Sequence, residues 1–202
     1  NAEYMGMALP YLILSSVFFV AFISADTVLI SPHNNVAAEN FIRASCRFTT
    51  YPTKCVQTLI SFAPTINKNK KNMAHTALSQ SLIKALSASE FLHKLARFRT
   101  LEPMEKSPVA DCCQQIEFTV KKLNGSISEL ALVEVGLGKN SRLRISNLQT
   151  WVSAALTNEN TCLDGFAEES LEGRVKTSIK VRLLDVAQDT SNALALINRC
   201  FN

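Results

Sequence analysis

Six cysteines, at positions 46, 55, 112, 113, 162 and 200, hold most of the chemistry this sequence can offer. Thiols can ligate a metal, attack an electrophile or join one another. No C-x-x-C occurs, and the three histidines, His33, His75 and His93, stand alone, with no second ligand three or four residues on. That spacing argues against a zinc site on one helix. A nucleophilic Cys113 would need a neighbouring base to lower its pKa, and the flanking ADCCQQI supplies none. Asp164 and Glu168 lie one helical turn apart, as an acid–base pair could, but charges at that spacing ordinarily decorate a solvated face. Neither a G-x-S-x-G elbow nor a Gly-rich phosphate loop is present. No catalytic residue, no metal ligands and no cofactor are expected. Disulfide formation is the chemistry left for the cysteines.

The N-terminal sequence sets the redox compartment. Leu9 to Ile23, LPYLILSSVFFVAFI, is apolar throughout and ends in Ser24-Ala25-Asp26. The run is shorter than the roughly 20 residues of a membrane span. It reads as a signal peptide over residues 1–25, an uncleaved anchor being the competing reading. Asn1 as first residue and the lack of a preceding Lys or Arg point to a natural start at Met5 or Met7. After cleavage no membrane contact is expected. In an oxidising compartment six cysteines suggest disulfides. The charge is mildly basic, 21 Lys plus Arg against 17 Asp plus Glu, with no basic run interleaved with aromatics, so no nucleic-acid partner is expected.

The elements that must position these cysteines are helical. Glycine and proline number six each, too few for the turns of a strand-rich fold. Residues 26–35 read as a linker. A short helical pair follows over residues 36–64, its second member opening at Pro52 and ending at Pro64. Cys46 and Cys55 flank its turn in a C-x8-C arrangement; a bridge there closes a loop worth roughly 3 kcal/mol. Four longer stripes then run over residues 72–202. They are Asn72–Arg99; a helix capped by Ser107 with Pro108 first and ended by Gly136 and Gly138; Leu143–Leu171; and a last helix after Gly173. The second stripe is the clearest: Val109, Cys113, Ile116, Val120, Leu123, Ile127, Leu130. Stripes near a 3.5-residue period on four consecutive helices predict an all-α fold. It is an antiparallel four-helix bundle preceded by a disulfide-linked helical hairpin.

Bundle topology restricts the remaining pairing. The start of the second bundle helix and the end of the third share one end. Helical rise puts Cys112 and Cys162 at depths within a few ångström of each other, close enough for a bridge. The closed loop would contribute roughly 4 kcal/mol. Cys113 competes for that role, but it lies on the apolar stripe and reads as a small buried hydrophobe. Cys200, on the order of 25 Å away by helical rise, cannot reach them. The expected bridges are Cys46–Cys55 and Cys112–Cys162, with Cys113 and Cys200 as free thiols.

Four segments carry a resemblance: CRFTTYPTKC, the ADC at Ala110–Cys112, TWVSAALTNENTCLDGF and the terminal SNALALIN. With these the chain, from about Val36 to its end, resembles the plant invertase and pectin methylesterase inhibitor family. The resemblance implies a helical hairpin on a four-helix bundle with the two disulfides above. TYP before the second cysteine and WVSAALT before the fourth resemble the pectin methylesterase side. The Pro-Lys-Phe segment more frequent in invertase inhibitors is replaced by GLGKNSRLRI. The family's DC-x-E-x-Y departs here to Gln114 and Ile116, with the extra Cys113.

What the resemblance implies is a secreted inhibitor of the apoplast or cell wall. It binds a plant pectin methylesterase as a monomer in a 1:1 complex and covers the active-site cleft. Acid invertase is the alternative target, and the pro-region of a truncated pectin methylesterase the second alternative. The same domain precedes the catalytic part of some such enzymes, and a chain stopping at Asn202 favours the standalone form. The partner-binding surface is expected on two polar rows, Gln114, Glu117 and Lys121 on the second bundle helix and Thr157, Thr161, Asp164 and Glu168 on the third. Asn124-Gly125-Ser126 is a possible glycosylation site at Asn124.

Overall fold

The computed structural model describes residues 32–98, 101–133, 139–167 and 173–201, all helix or short connection. The segment read as a signal peptide lies outside them. Among the described residues, no helix is long and apolar enough to cross a membrane. The elements are α1 (Pro32–Cys46), α2 (Pro52–Leu59), a 3-10 turn (Ile60–Phe62), α3 (Ala63–Ile66), α4 (Lys70–Ala96), α5 (Pro103–Leu132), α6 (Lys139–Asp164) and α7 (Arg174–Phe201). The four long helices run antiparallel and close a ring in which α4 packs on α5, α5 on α6, α6 on α7 and α7 on α4.

The apolar stripes make this bundle because each helix has one face that water must leave. Leu78 and Leu92 of α4, Ile116, Leu123 and Leu130 of α5, Leu148 and Val152 of α6, and Ile179, Leu183 and Ile197 of α7 are all fully buried. Each contributes roughly 1.5–3 kcal/mol relative to exposure.

Several helix ends differ from the sequence reading. Helix α1 begins at Pro32 rather than Val36, so residues 32–35 belong to the helix and not to a linker. Pro64 does not end the hairpin. It sits in the first turn of α3, where a missing N–H is harmless, and the stop comes at Asn67, whose φ of 43° is left-handed. Helix α4 opens two residues before Asn72, because the Asn69 side chain accepts from Asn72 N at 3.0 Å. It ends at Ala96 rather than Arg99. Helix α5 starts at Pro103, not at Ser107. The Glu105 carboxylate accepts from Glu102 N at 3.0 Å, a local cap that outcompetes the one expected at Ser107. Pro108 therefore lies inside the helix, and the Met104 carbonyl loses its usual donor. Val133 leaves α5 in an extended conformation; Gly136 and Gly138 lie outside the described residues. Helix α6 spans Lys139–Asp164 and closes with Gly165 N donating to Thr161 O at 3.2 Å. Gly173 enters α7 at a φ of 148°, a backbone state that favours glycine.

Cys46 and Cys55 are bridged across the hairpin turn, with Cα atoms 5.6 Å apart. The hairpin lies on α4 and α7 through polar contacts. Asn192 of α7 accepts from Tyr51 N and donates to Tyr51 O, both at 3.0 Å. Lys54 pairs with Asp185, and Thr58 donates to Asp189 at 2.9 Å. Lys84 of α4 completes the network, 2.9 Å from Asp185 and 2.5 Å from the buried Asp189. Burial works to raise the Asp185 carboxyl, but hydrogen bonds from Lys54 and Lys84 outweigh it and hold the group below its ordinary value. Burial works to lower the Lys84 ammonium, and the two aspartates together hold it above its ordinary value.

Candidate functional site

The candidate surface is the outer face of α5 and α6, the long helices tied together by a disulfide. Cys112 and Cys162 are bridged there, with Cα atoms 4.6 Å apart and both residues buried. Seven residues deeper on α5, the Thr119 hydroxyl donates to Ala155 O at 3.2 Å. Further along, Lys122 sits 5.7 Å above the Trp151 ring. Gly125 makes room for that ring, since a β-carbon there would come within 3.0 Å of it. The two helices are thus joined at three levels by different chemistry.

Of the residues expected on the contact surface, Gln114, Glu117 and Lys121 are exposed on α5, and Thr157, Thr161 and Asp164 are exposed on α6. Glu168 lies outside the described residues. The α6 threonines form a regular row: Thr161 donates to Thr157 O at 2.9 Å and Thr157 to Ser153 O at 3.1 Å. Their protons are committed to the helix, so they offer a partner acceptor oxygens and methyl groups. Thr157 also lines an open groove of about 620 Å³ between α6 and α7, where Gln149 donates to Asn198 at 3.0 Å.

The α5 row is turned toward α4. Glu117 Oε1 pairs with His93 Nε2 at 2.9 Å, which draws it toward α4. The strip of α5 next to α6 is formed instead by residues about 100° further round the helix, with Lys122 reaching Trp151. Phe118 stands between the rows, 42% exposed, with the Lys121 ammonium 5.6 Å from its ring centre. This exposed aromatic is a functional candidate that sequence reasoning missed. Its position between two polar residues on the outer strip was the available signal, since the stripe of buried residues does not require it.

Cys113 is buried, and burial pushes its thiol up, with the Glu117 carboxylate adding to the rise. It is therefore not an activated nucleophile. Cys200 is a half-buried thiol, raised mainly by burial. His75 is exposed on α4, and the His33 side chain is outside what is described. Among the described residues no three His, Cys, Asp or Glu side chains converge as a metal site would need. Asn124 is exposed, whereas Ser126 of the same sequon is fully buried and its hydroxyl donates to Lys122 O at 2.8 Å.

The polar patch Asn158-Glu159-Asn160 resolves into three environments. Asn160 is exposed, Asn158 half-buried and Glu159 completely buried. Thr190 of α7 donates to Glu159 Oε1 at 2.9 Å, while Oε2 has no hydrogen-bond partner. Burial pushes this carboxyl up to about 8; the Thr190 bond opposes the rise and the nearby Asp189 adds to it. Glu159 is a neutral acid at neutral pH, tying α6 to α7.

Comparison with known proteins places this architecture. Residues 40–196 match the family model of plant invertase/pectin methylesterase inhibitors. Pectinesterase inhibitor 11 of Arabidopsis thaliana is 42% identical over 187 residues, spanning 92% of this chain and 91% of its own. The 21 kDa protein of Daucus carota is 38% identical over 175 residues, spanning 87% of this chain and 91% of its own. The backbone matches the crystal structure of mutant form A of a pectin methylesterase inhibitor from Arabidopsis with a TM-score of 0.62. At 21% identity, over 76% of this chain and 92% of that one, the likeness speaks for the fold.

Proposed function

The chain belongs to the plant invertase/pectin methylesterase inhibitor family, and from that premise we propose that it is a secreted protein inhibitor of a plant pectin methylesterase. It performs no chemistry on pectin. It lays the outer face of α5 and α6 over the enzyme's cleft and keeps pectin out, which regulates de-esterification in the cell wall. Residues 1–25 serve as the signal peptide on this reading, and the two disulfides suit the oxidising space outside the cell.

The observation that carries the mechanism is the Cys112–Cys162 clamp between the two helices that bear the surface. A preorganised face loses less conformational freedom on docking than a mobile one. Gln114, Lys121, Thr157, Thr161 and Asp164 supply the polar contacts. Phe118 is the apolar anchor, since aromatic residues concentrate at the centres of such interfaces. One inhibitor monomer engages one enzyme. Titrating a plant pectin methylesterase with the protein, and an acid invertase in parallel, tests the assignment. Stoichiometric loss of esterase activity is expected, and inhibition of invertase alone would transfer the assignment to that enzyme.

A further inference from the structure

We infer that the end of the bundle formed by the hairpin turn, the start of α4 and the end of α7 binds de-esterified pectin through a cluster of unpaired cations. The inference rests on the inhibitor reading, because that enzyme's product is a linear polymer of regularly spaced uronate carboxylates. The juxtaposition is explicit in the packing. Ser45, Lys70, Met73, Leu196 and Arg199 line one small groove of about 20 Å³. The Arg199 guanidinium lies 3.7 Å over the Phe48 ring, and the exposed Arg47 precedes Phe48 in the same turn. Lys70 Nζ approaches Arg199 O at 3.5 Å. Lys68, two residues before Lys70, is exposed at the left-handed turn into α4. Lys71 beside them donates to the end of α5 at Val133 O, 2.7 Å away.

The cations gathered at this end are not neutralised by neighbouring carboxylates among the described residues. Lys54, Lys84 and Lys94, away from this end, are paired with carboxylates, and on its α5–α6 side Glu129 is neutralised by Arg144. Among the described residues no carboxylate comes within 4.0 Å of Arg47, Lys68, Lys70 or Arg199. At the opposite end Lys106 and Arg174 share the surface with Glu102, Glu105, Asp111 and Asp164. The side of this end formed by the hairpin turn, α4 and α7 is thus locally cationic. A cationic surface concentrates a polyanion over distances of about a Debye length, and does so less as salt rises. The stacked Arg199 is already oriented, so it surrenders little freedom on meeting a carboxylate. Methylesterified pectin, which lacks the charge, has nothing to offer this surface. The inhibitor would therefore gather where its target enzyme has already acted.

The test is affinity electrophoresis of the disulfide-intact protein through gels containing polygalacturonate or fully methylesterified pectin, at about 50 mM salt. Retardation by polygalacturonate only is expected. Arg47→Gln/Lys70→Gln/Arg199→Gln should weaken it at least tenfold. The control triple Lys106→Gln/Arg174→Gln/Lys180→Gln has the same net charge and should stay within twofold of the parent. If Arg199→Gln disturbs the hairpin by circular dichroism, the double Arg47→Gln/Lys70→Gln replaces the triple, with at least threefold weakening expected. No retardation, equal weakening in both triples, or equal retardation by single-stranded DNA of matched charge would overturn the inference. Inhibition of pectin methylesterase measured on the same variants, expected unchanged, reports separately on the inhibitor reading.

Discussion

Glu159 of α6 and Thr190 of α7 meet in a fully buried hydrogen bond of 2.9 Å, with the second carboxyl oxygen of Glu159 left without a partner. A carboxylate there would be poorly solvated, so the neutral acid is the form that fits.

The pH dependence follows from that site. The folded-state value of about 8 lies above the ordinary 4.5, so the folded protein keeps a proton that the unfolded chain releases. The stabilisation is complete below the ordinary value and is lost as pH rises toward about 8, at roughly 1 kcal/mol per pH unit. On the acid side the depressed Asp185 acts in the opposite sense, its contribution fading as pH falls below 3.8. Thermal unfolding at pH 5, 6.5 and 8 should show a falling Tm in the parent protein and a nearly flat one in Glu159→Gln. The same slope in both would refute the role given to Glu159.

Lys84 and Lys54 should differ in weight although both serve Asp185. Lys84→Met leaves the buried Asp189 carboxylate without a cation, a loss of about 3 kcal/mol. Lys54→Met breaks a pair whose acid is 41% exposed, worth about 1 kcal/mol or less. Urea unfolding of the two variants ranks them; equal losses would remove Asp189 from the account.

Peptide mapping under non-reducing conditions should recover Cys46–Cys55 and Cys112–Cys162, with alkylatable thiols only at Cys113 and Cys200 after unfolding. Cys112→Ala/Cys162→Ala should lose about 4 kcal/mol from its 50-residue loop. It should also inhibit less strongly at temperatures where it remains folded, because the contact face is no longer clamped. A Cys113–Cys162 peptide would instead rotate α5 by one residue and displace the proposed surface.

The contact surface is tested by Phe118→Ala and by Thr161→Ala/Asp164→Ala. Each should keep its helical circular dichroism, because all three residues are exposed. Each should weaken inhibition of a susceptible pectin methylesterase about tenfold, the effect of losing one substantial interface contact. Inhibition within twofold of the parent for both variants would move the interface elsewhere on the bundle.

The bundle was legible in the sequence because its signal is periodic. The row from Val109 to Leu130 is buried or half-buried at every position, and no long-range information is needed to see it. Helix ends were less legible where two local caps competed. Pro108 after Ser107 looks like a start, yet Pro103 with Glu102 and Glu105 wins one and a half turns earlier. The buried charges were not legible at all. Glu159 appears in the sequence only as part of a polar patch. Its burial depends on Thr190, 31 residues away, and the partners of Asp189 come from α2 and α4. Phe118 escaped for a related reason: an exposed aromatic does not alter the stripe by which the helix is recognised.

Asn192 grips the hairpin turn by the backbone of Tyr51, taking its N–H and filling its C=O with one amide. Such a grip is blind to side-chain identity. It asks only that the main chain pass at the right height, which the Cys46–Cys55 bridge enforces. The exposed side chains at the tip, Arg47 and Phe48, are therefore free to diverge while that grip holds, whereas the buried Thr49 and the paired Lys54 are not. A lineage could rewrite that tip, the neighbourhood of Arg47 and Phe48, at little risk to folding. The same tolerance makes it a natural place to graft a foreign epitope or a label.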